Sequence, residues 1–243
     1  MIGHPSIFVG TAGWSIASRH AGDFPGEGTH LERYGRRLDA VEINSSFYRP
    51  HRREIYERWA LSVPEDFRFS VKLPKSITHE RRLVDCGELL DRFLAQAGGL
   101  GPKLGAILVQ LPPNLGFDEV TGPLFLAHLR SRTEARIALE PRHESWFEET
   151  VTAELGKHHV ARVAADPARV PGADQPSGWD GFAYFRLHGS PSIYRSDYAD
   201  RLDAISRQVK KAAGAEIWCI FDNTMANHAL GNALSLAQRL RSR

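Results

Sequence analysis

The most regular feature of the chain is a series of short apolar runs, each separated from the next by a segment with helical spacing. The clearest run covers residues 136–139, and the charged sequence EPRHE (residues 140–144) follows it at once. A buried strand that ends abruptly in charged residues is typical of an α/β barrel, in which the apolar part fills the core and the C-terminal end carries the chemistry. We therefore interpret the other apolar runs as copies of the same plan.

The repeated pattern predicts eight strands, over residues 7–10, 40–44, 67–73, 105–111, 136–139, 160–165, 182–187 and 216–221. Helical spacing predicts helices over residues 29–37, 53–61, 87–97, 124–130, 146–158, 200–213 and 226–240. Residues 168–181 are rich in Pro, Gly and Asp, so the helix after strand six is expected to be short or missing. Alternating strands and helices predict a parallel sheet. Eight repeats predict a single (β/α)8 TIM-type barrel over residues 1–243.

The composition of the chain says more about the cellular location of the protein than about the reaction it could catalyse. The net charge of +2 neither requires nor excludes nucleic acid as a partner. No apolar run approaches the roughly 18 residues of a membrane span, and residues 1–6 lack the pattern of a signal peptide. Cys86 and Cys219 are too few for a disulfide framework and neither lies in a CxxC pair. We therefore expect a reducing, cytoplasmic location and no membrane partner.

The strand ends supply the candidate site residues, because function in a barrel lies at the C-terminal face. Residues two apart on a strand share a face, so Arg186, if it points inward, is expected to pair with Glu42 or Glu140. This pair could be structural or part of a site. The catalytic candidates are Glu42, Lys72, Glu140 and His188. The candidates for substrate binding are Thr11, Trp14, Asn44, Tyr48, Gln110, Arg142, Asp166, Arg186, Tyr194, Asp222 and Asn223. Tyr194 and Tyr198 could form a lid.

The motifs at these strand ends resemble a known family. They are Gly10-Thr11-Ala12-Gly13-Trp14, Val41-Glu42-Ile43-Asn44 with Ser46-Phe47-Tyr48, Val71-Lys72, Gln110-Leu111-Pro112-Pro113, Glu140-Pro141-Arg142 with Ser145-Trp146, and Arg186-Leu187-His188-Gly189. In this order they resemble the YecE-like family, a domain of unknown function (number 72), over nearly the whole chain. The resemblance implies a single TIM-type barrel and no established reaction. One departure is Asp222-Asn223, where the family often has Asn-Asn.

The first functional hypothesis is a metal-free enzyme that acts on a small phosphorylated or carboxylated molecule. Glu140 or Glu42 would be the acid or base, with Lys72 as its partner. Arg142 and Arg186 would hold the anion, because the guanidinium fork matches such groups. No cofactor is expected under this hypothesis, and the reaction is left open among hydrolysis, isomerisation and lyase chemistry.

The second hypothesis is a divalent-metal barrel of the isomerase or hydrolase type. Its ligands would be Glu42, Glu140, Asp166, His188 and Asp222, an oxygen-rich set that suits Mg, Mn or Zn. The neighbouring cations Lys72, Arg142 and Arg186 argue against it, because they compete with a metal for the carboxylates.

The third hypothesis is a barrel that is not an enzyme and binds nucleic acid or protein. The residues that suggest it are Arg36, Arg37, Arg49, Arg52 and Arg53, interleaved with Tyr48 and Tyr56, which could stack on bases. A solvated helix face explains the same residues more simply, so we do not expect nucleic acid as a partner. The oligomeric state is left open.

Overall fold

The strands form a mostly parallel barrel surrounded by helices. The computed structural model describes residues 5–241, which contain ten strands and seven α-helices. The strands are β1 (Ser6–Ala12), β2 (Ala40–Ile43), β3 (Arg68–Lys72), β4 (Leu104–Gln110), β5 (Arg136–Glu140), β6 (Val160–Arg162), β7 (Ala164–Asp166), β8 (Ser177–Gly178), β9 (Phe182–Leu187) and β10 (Glu216–Phe221). The helices are α1 (His30–Gly35), α2 (Arg53–Leu61), α3 (Gly87–Ala97), α4 (Thr121–Arg130), α5 (Glu149–Lys157), α6 (Leu202–Lys211) and α7 (Ala229–Arg241).

The sixth strand position closes the barrel. Its first half, β6, pairs in parallel with β5, while its second half, β7, pairs in parallel with β9. From β9 the sheet continues through β10, β1, β2, β3 and β4 back to β5. The chain therefore has eight strand positions around one ring, and the predicted TIM-type barrel is confirmed. The short β8 adds an antiparallel pair at the outer edge of β6.

The predicted gap after strand six is also confirmed, because residues 167–181, all of them described, contain no helix. Thr29 caps α1 through a reciprocal pair of hydrogen bonds with Glu32, as the capping-box pattern predicts. None of the helices in residues 5–241 combines the length and the apolar character needed to span a bilayer.

Several predicted boundaries are wrong, among them the start of the fourth helix at Thr121 and the end of the first strand at Ala12, and three others have identifiable reasons. The sixth strand is not continuous over residues 160–165, because it breaks at Val163 to pair with different neighbours on its two sides. The fifth helix begins at Glu149 rather than at Trp146, whose buried indole donates to the carbonyl of Leu115 and leaves residues 144–147 as a 3-10 turn. The last helix begins after residue 226, because Asn227 has φ of 59°.

Two apolar layers follow from the alternation of side chains along the strands. Outward-facing residues such as Val41 and Ile107 pack against the helices in the larger core. Inward-facing residues such as Leu108, Tyr184 and Trp218 fill the barrel. Gly105 is the extra residue where β4 shifts register against β3, and a Cβ there would lie 2.6 Å from the ring of Trp218. A side chain at position 105 would therefore displace the ring that fills this end of the barrel.

The inward residues change from apolar to polar along the barrel axis. Those nearer the C-terminal ends of the strands are Glu42, Lys72, Gln110, Glu140, Arg186, His188 and Asp222, and all are buried. A buried charge is costly unless it is paired, so these groups must satisfy one another or a ligand. The fold thus gathers its ionisable side chains at the face where barrels carry chemistry.

Candidate active site at the barrel mouth

Arg186 is the centre of a buried network that we call the ionic cluster (Glu42, Glu140, Arg186, His188 and Asp222). Its Nε and Nη2 donate to the two carboxylate oxygens of Glu42 at 3.0 and 2.8 Å. Its Nη1 lies 3.0 Å from Glu140 Oε2, and Nη2 also lies 3.0 Å from Asp222 Oδ2. The expected pairing of Arg186 with Glu42 and Glu140 is present. All three guanidinium nitrogens already contact carboxylates, so Arg186 has little capacity left for a ligand.

His188 bridges two of these carboxylates. Its Nδ1 lies 2.9 Å from Asp222 Oδ2, and its Nε2 lies 3.0 Å from Glu140 Oε1. Burial opposes the imidazolium, but the charge of Glu140 together with the hydrogen bonds to Asp222 and Glu140 outweighs it, so the pKa of His188 is raised. Burial likewise disfavours the charged form of Glu140, yet His188 and Arg186 hold the pKa of that carboxyl well below its usual range. The pair therefore keeps a proton on the histidine.

Lys72 lies beside the ionic cluster without joining it. The side chain is buried, and Nζ lies 4.1 Å from the centre of the Phe47 ring. This amine has no hydrogen-bond acceptor anywhere in residues 5–241. Burial and the charge of Arg186 lower the pKa of Lys72 to about 8, although Glu42 and other nearby carboxylates oppose the shift. An amine in this state exchanges protons near neutral pH.

Arg142 and His79 lie at the rim beside Lys72. Arg142 Nη2 lies 3.5 Å from Glu140 Oε1, and Arg142 Nε is buried with no partner in the described part of the chain. The His79 ring meets Phe47 edge-on at 5.0 Å. Burial lowers the pKa of His79, and the charges of Lys72 and Arg142 add to the shift. Positive charge is therefore concentrated at the mouth, where an anion would meet it.

The sequence did not single out His79. It lies in the π-helical turn Ser76–Glu80, directly after β3 and Pro74. Such turns are rare and often occur at functional sites. The residue type and its place after a strand were available as a signal, but the turn that directs the ring toward Phe47 has no known sequence pattern.

The amides predicted for the site are placed differently. Gln110 Nε2 donates to Glu140 Oε1 at 3.0 Å, so this side chain positions the carboxylate. Asn223 Nδ2 donates to Ser196 O and to Asn232 Oδ1, while its buried Oδ1 lacks a partner within residues 5–241. Asn44 Oδ1 is buried and unpartnered over the same range. The carbonyl oxygens of Asn44 and Asn223 are therefore buried acceptors without a donor in the described part of the chain.

Several aromatic and hydroxyl candidates lie away from the ionic cluster. The Thr11 hydroxyl lies 3.1 Å from that of Tyr34, on the outer side of β1. Trp14 packs edge-on against Trp59 at 5.0 Å. Tyr48 is 70% exposed and contacts Phe47. These three residues pack at the rim and do not touch the ionic cluster.

The two tyrosines suggested as a lid have different positions. Tyr194 lies edge-on to His188 with ring centres 5.8 Å apart, so it borders the mouth. Tyr198 is fully buried, and its hydroxyl accepts from the Gly189 amide at 2.9 Å. A side chain held in this way cannot swing over the mouth, so the suggested lid role is wrong for Tyr198.

The predicted substrate ligand Asp166 points away from the mouth. The Tyr198 hydroxyl donates to its Oδ1 at 2.7 Å, and Arg201 binds both of its oxygens. We expect Asp166→Ala to lower the free energy of unfolding by about 1 to 3 kcal/mol, because Tyr198 and Arg201 lose their hydrogen bonds to a charged carboxylate and Tyr198 keeps only its longer contact with the Asp166 carbonyl. Urea denaturation measures this loss. A ligand that binds at the mouth should raise the melting temperature of Asp166→Ala and of the unchanged protein equally. A smaller rise in Asp166→Ala would mean that Asp166 takes part in ligand binding.

The residues proposed as metal ligands do not form an open metal site. Glu42, Glu140, His188 and Asp222 lie together, but the guanidinium of Arg186 occupies the space between their oxygens. Within residues 5–241 no three His, Cys, Asp or Glu side chains are arranged to hold a metal ion.

The surface proposed for nucleic acid lacks one of its two stacking residues. Tyr56 is 1% exposed and packs against Trp59, so it cannot stack on a base. Arg53 is partly engaged, since its Nε donates to Glu57 at 2.8 Å. The suggestion that Tyr56 stacks on bases is wrong, because α2 buries this side chain.

A family model described as "Protein of unknown function DUF72" matches residues 8–243. The chain belongs to the DUF72 family. Among its relatives is the UPF0759 protein YecE of Escherichia coli K12, 33% identical over 151 residues, which are 60% of this chain and 55% of YecE. The UPF0759 protein YunF of Bacillus subtilis is 29% identical over 154 residues, 58% of this chain and 52% of YunF. The DUF72 chain thus spans about half the length of the curated relatives it matches.

Solved DUF72 structures share the fold. A family member from Thermotoga maritima MSB8 superposes with a TM-score of 0.80 at 25% identity, covering 98% of this chain and all of that one. Another from Enterococcus faecalis V583 gives 0.81 at 22% identity, covering 98% and 96%. These likenesses support the barrel architecture and name no activity.

Proposed function

We propose that this DUF72 protein is an enzyme that binds a small carboxylated or phosphorylated molecule at the barrel mouth and transfers protons to and from it through Lys72. The observation that carries the proposal is the Lys72 side chain, which is buried and whose amine donates to no acceptor among residues 5–241. Lys72 and Arg142 both lie close enough to His79 to lower its pKa, and Arg142 Nε is buried without a partner in the same part of the chain. Buried polar groups without partners are rare in folded proteins and often mark a site completed by a ligand or water.

Arg142 is the proposed anion-binding residue. Its Nη2 makes one long contact with Glu140, and the rest of its fork has no carboxylate partner in residues 5–241. A planar guanidinium binds carboxylate and phosphate in a bidentate manner. Arg186 was a candidate for this role, but its nitrogens already contact Glu42, Glu140 and Asp222.

Lys72 is the proposed acid and base. A pKa of about 8 leaves comparable amounts of amine and ammonium at slightly alkaline pH. Proton transfer is most efficient when the pKa lies near the working pH. Glu140, held by Arg186, His188 and Gln110, would act as a positioning residue whose negative charge restrains the Lys72 ammonium.

The test is a melting-temperature screen against carboxylate and phosphate metabolites. A ligand that binds the folded protein alone raises the melting temperature by mass action. We expect a hit in the unchanged protein, and we expect Arg142→Gln to weaken the hit at least tenfold in Kd, because charged hydrogen bonds to the anion contribute about 1.5 to 3 kcal/mol.

Arg49→Gln is the matched control, because it removes the same charge from an exposed position. It should bind the hit as the unchanged protein does. If no metabolite of either class shifts the melting temperature, or if both variants bind equally well, the proposed function fails.

A further inference from the structure

We infer that Lys72 forms a covalent imine with its substrate, so that the substrates are small anionic aldehydes or ketones. This inference rests on the proposed function and names the substrate class of that same site. Proton transfer by Lys72 does not require the substrate to contain an aldehyde or ketone group, whereas imine formation by its amine does.

The arrangement of the Lys72 amine is the first support. A nucleophilic amine must be able to lose a proton and turn toward its substrate, so its N–H groups should not be held by structural acceptors. Lys72 Nζ faces the Phe47 ring at 4.1 Å and lacks an acceptor over residues 5–241. Lys103 provides an internal contrast, because its Nζ donates to the carbonyls of Ala60 and Val63 at 2.6 and 2.7 Å. Of these two lysines, Lys103 is a structural donor and Lys72 is available to react.

The charges around Lys72 are the second support. Glu42 from β2, Glu140 from β5, Arg186 from β9 and the residue Asp222 after β10 all act on its amine. The charge of Lys72 in turn lowers the pKa of His79. The three carboxylates oppose the effects of burial and of Arg186 on the Lys72 amine. The same attraction would help to stabilise a protonated imine, which keeps a positive nitrogen at the same place.

The shifted proton affinity of Lys72 adds reactivity. A pKa of about 8 in place of 10.5 gives about 300-fold more free amine at pH 7 than an ordinary lysine has. Arg142 would bind the acidic group of the same molecule and hold the carbonyl carbon against Nζ, which raises the local concentration of the reacting pair.

The covalent step balances without an oxidant or reductant. The Lys72 nitrogen adds to the carbonyl carbon, forming a C–N bond while the carbonyl oxygen takes up a proton. The resulting hydroxyl group gains a second proton and leaves as water, and the nitrogen lone pair forms the C=N bond. The amine and carbonyl thus become an imine and one water. For a neutral imine both protons come from Nζ, whereas for a protonated imine one comes from Nζ and the other from solvent.

Reductive trapping tests the inference. The unchanged protein would be incubated at pH 7 with glyoxylate, pyruvate or glycolaldehyde phosphate and cyanoborohydride, which reduces imines to stable secondary amines. Peptide mapping by mass spectrometry should locate the adduct on Lys72, with labelling at least tenfold faster than at any other lysine. Lys72→Arg should lose this fast phase, and Lys75→Arg, an exposed lysine three residues away, should keep it.

The outcomes separate the inference from the proposed function. If Lys72 is labelled no faster than the exposed Lys75 and Lys157, the imine is excluded, whatever the variants do. If that result accompanies a melting-temperature rise that depends on Arg142, the proposed function stands and the imine alone fails. If neither trapping nor a melting-temperature rise occurs, both fail. Fast labelling of Lys72 that Arg142→Gln slows supports both.

Discussion

Replacing Arg186 with methionine should destabilise the protein by about 3 to 5 kcal/mol, because its guanidinium is the ion-pair partner of three buried carboxylates. Burial alone disfavours the charged guanidinium, yet Asp222, Glu42 and Glu140 together hold the pKa of Arg186 well above its ordinary value. In Arg186→Met the carboxylates face one another inside the barrel. Urea denaturation at pH 7 should show the loss. The deficit should shrink as the pH falls, because protonated carboxyls no longer need a cation.

The control is Arg239→Met, which removes an ion pair between half-exposed Arg239 and exposed Asp203. Such pairs contribute about 1 kcal/mol or less. A double variant that adds Glu42→Gln to Arg186→Met should recover part of the lost stability, because one unpaired charge is gone. If Arg186→Met unfolds with the same free energy as the unchanged protein, the ionic cluster is not the electrostatic unit described above.

Replacing Lys72 with methionine should have the opposite effect on stability. The folded protein holds the Lys72 ammonium with a pKa of about 8, against 10.5 for an ordinary lysine. Both the folded and the unfolded chain are protonated at Lys72 at pH 7, so burying the cation opposes folding by about 3 kcal/mol. Lys72→Met should therefore be more stable by about 2 to 3 kcal/mol at pH 7, while losing the trapping reaction completely.

The pH dependence of this gain follows from proton binding. Between pH 8 and 10.5 the unfolded chain binds more protons at Lys72 than the folded chain does, so the unchanged protein gains stability as the pH rises. Because the penalty for burying the cation falls by about 2.5 kcal/mol between pH 7 and pH 10, the advantage of Lys72→Met should shrink to about zero at pH 10. Paired melting curves of both proteins at pH 7 and pH 10 measure the difference.

Lys75→Met is the matched control, because Lys75 is half-exposed and pairs with Glu80 at the surface. Its stability should differ from that of the unchanged protein by less than about 1 kcal/mol, at both pH values. A loss of stability in Lys72→Met at pH 7 would mean that the amine is bound by an acceptor and is not free to react.

Strand alternation made the ionic cluster predictable. Side chains two apart on a strand share a face, which places Arg186 and His188 together and brings Glu42 and Glu140 within reach of them. The change from apolar to charged residues after residue 139 likewise indicated where the strand ends and therefore where the C-terminal face of the barrel lies. These inferences needed only the period of a strand and the closure of the barrel.

Features that depend on loops could not be predicted from the sequence in the same way. Asp166 lies at the end of its strand as the pattern requires, yet Tyr198 and Arg201 from a later loop draw its carboxylate outward. The π-helical turn that presents His79 has no sequence pattern. The break at Val163 is set by pairing with both neighbouring strands. Each case is decided by contacts between distant segments, which strand alternation does not describe.

The central claim is that the barrel mouth holds a reactive lysine amine. Nuclear magnetic resonance titration of protein labelled with ¹³C at the lysine ε-carbons reports the pKa of each amine, and comparison with Lys72→Met assigns the signal of Lys72. We expect the Lys72 signal to titrate near pH 8. Titration of the Lys72 signal near the ordinary lysine pKa, about 10.4, would contradict it.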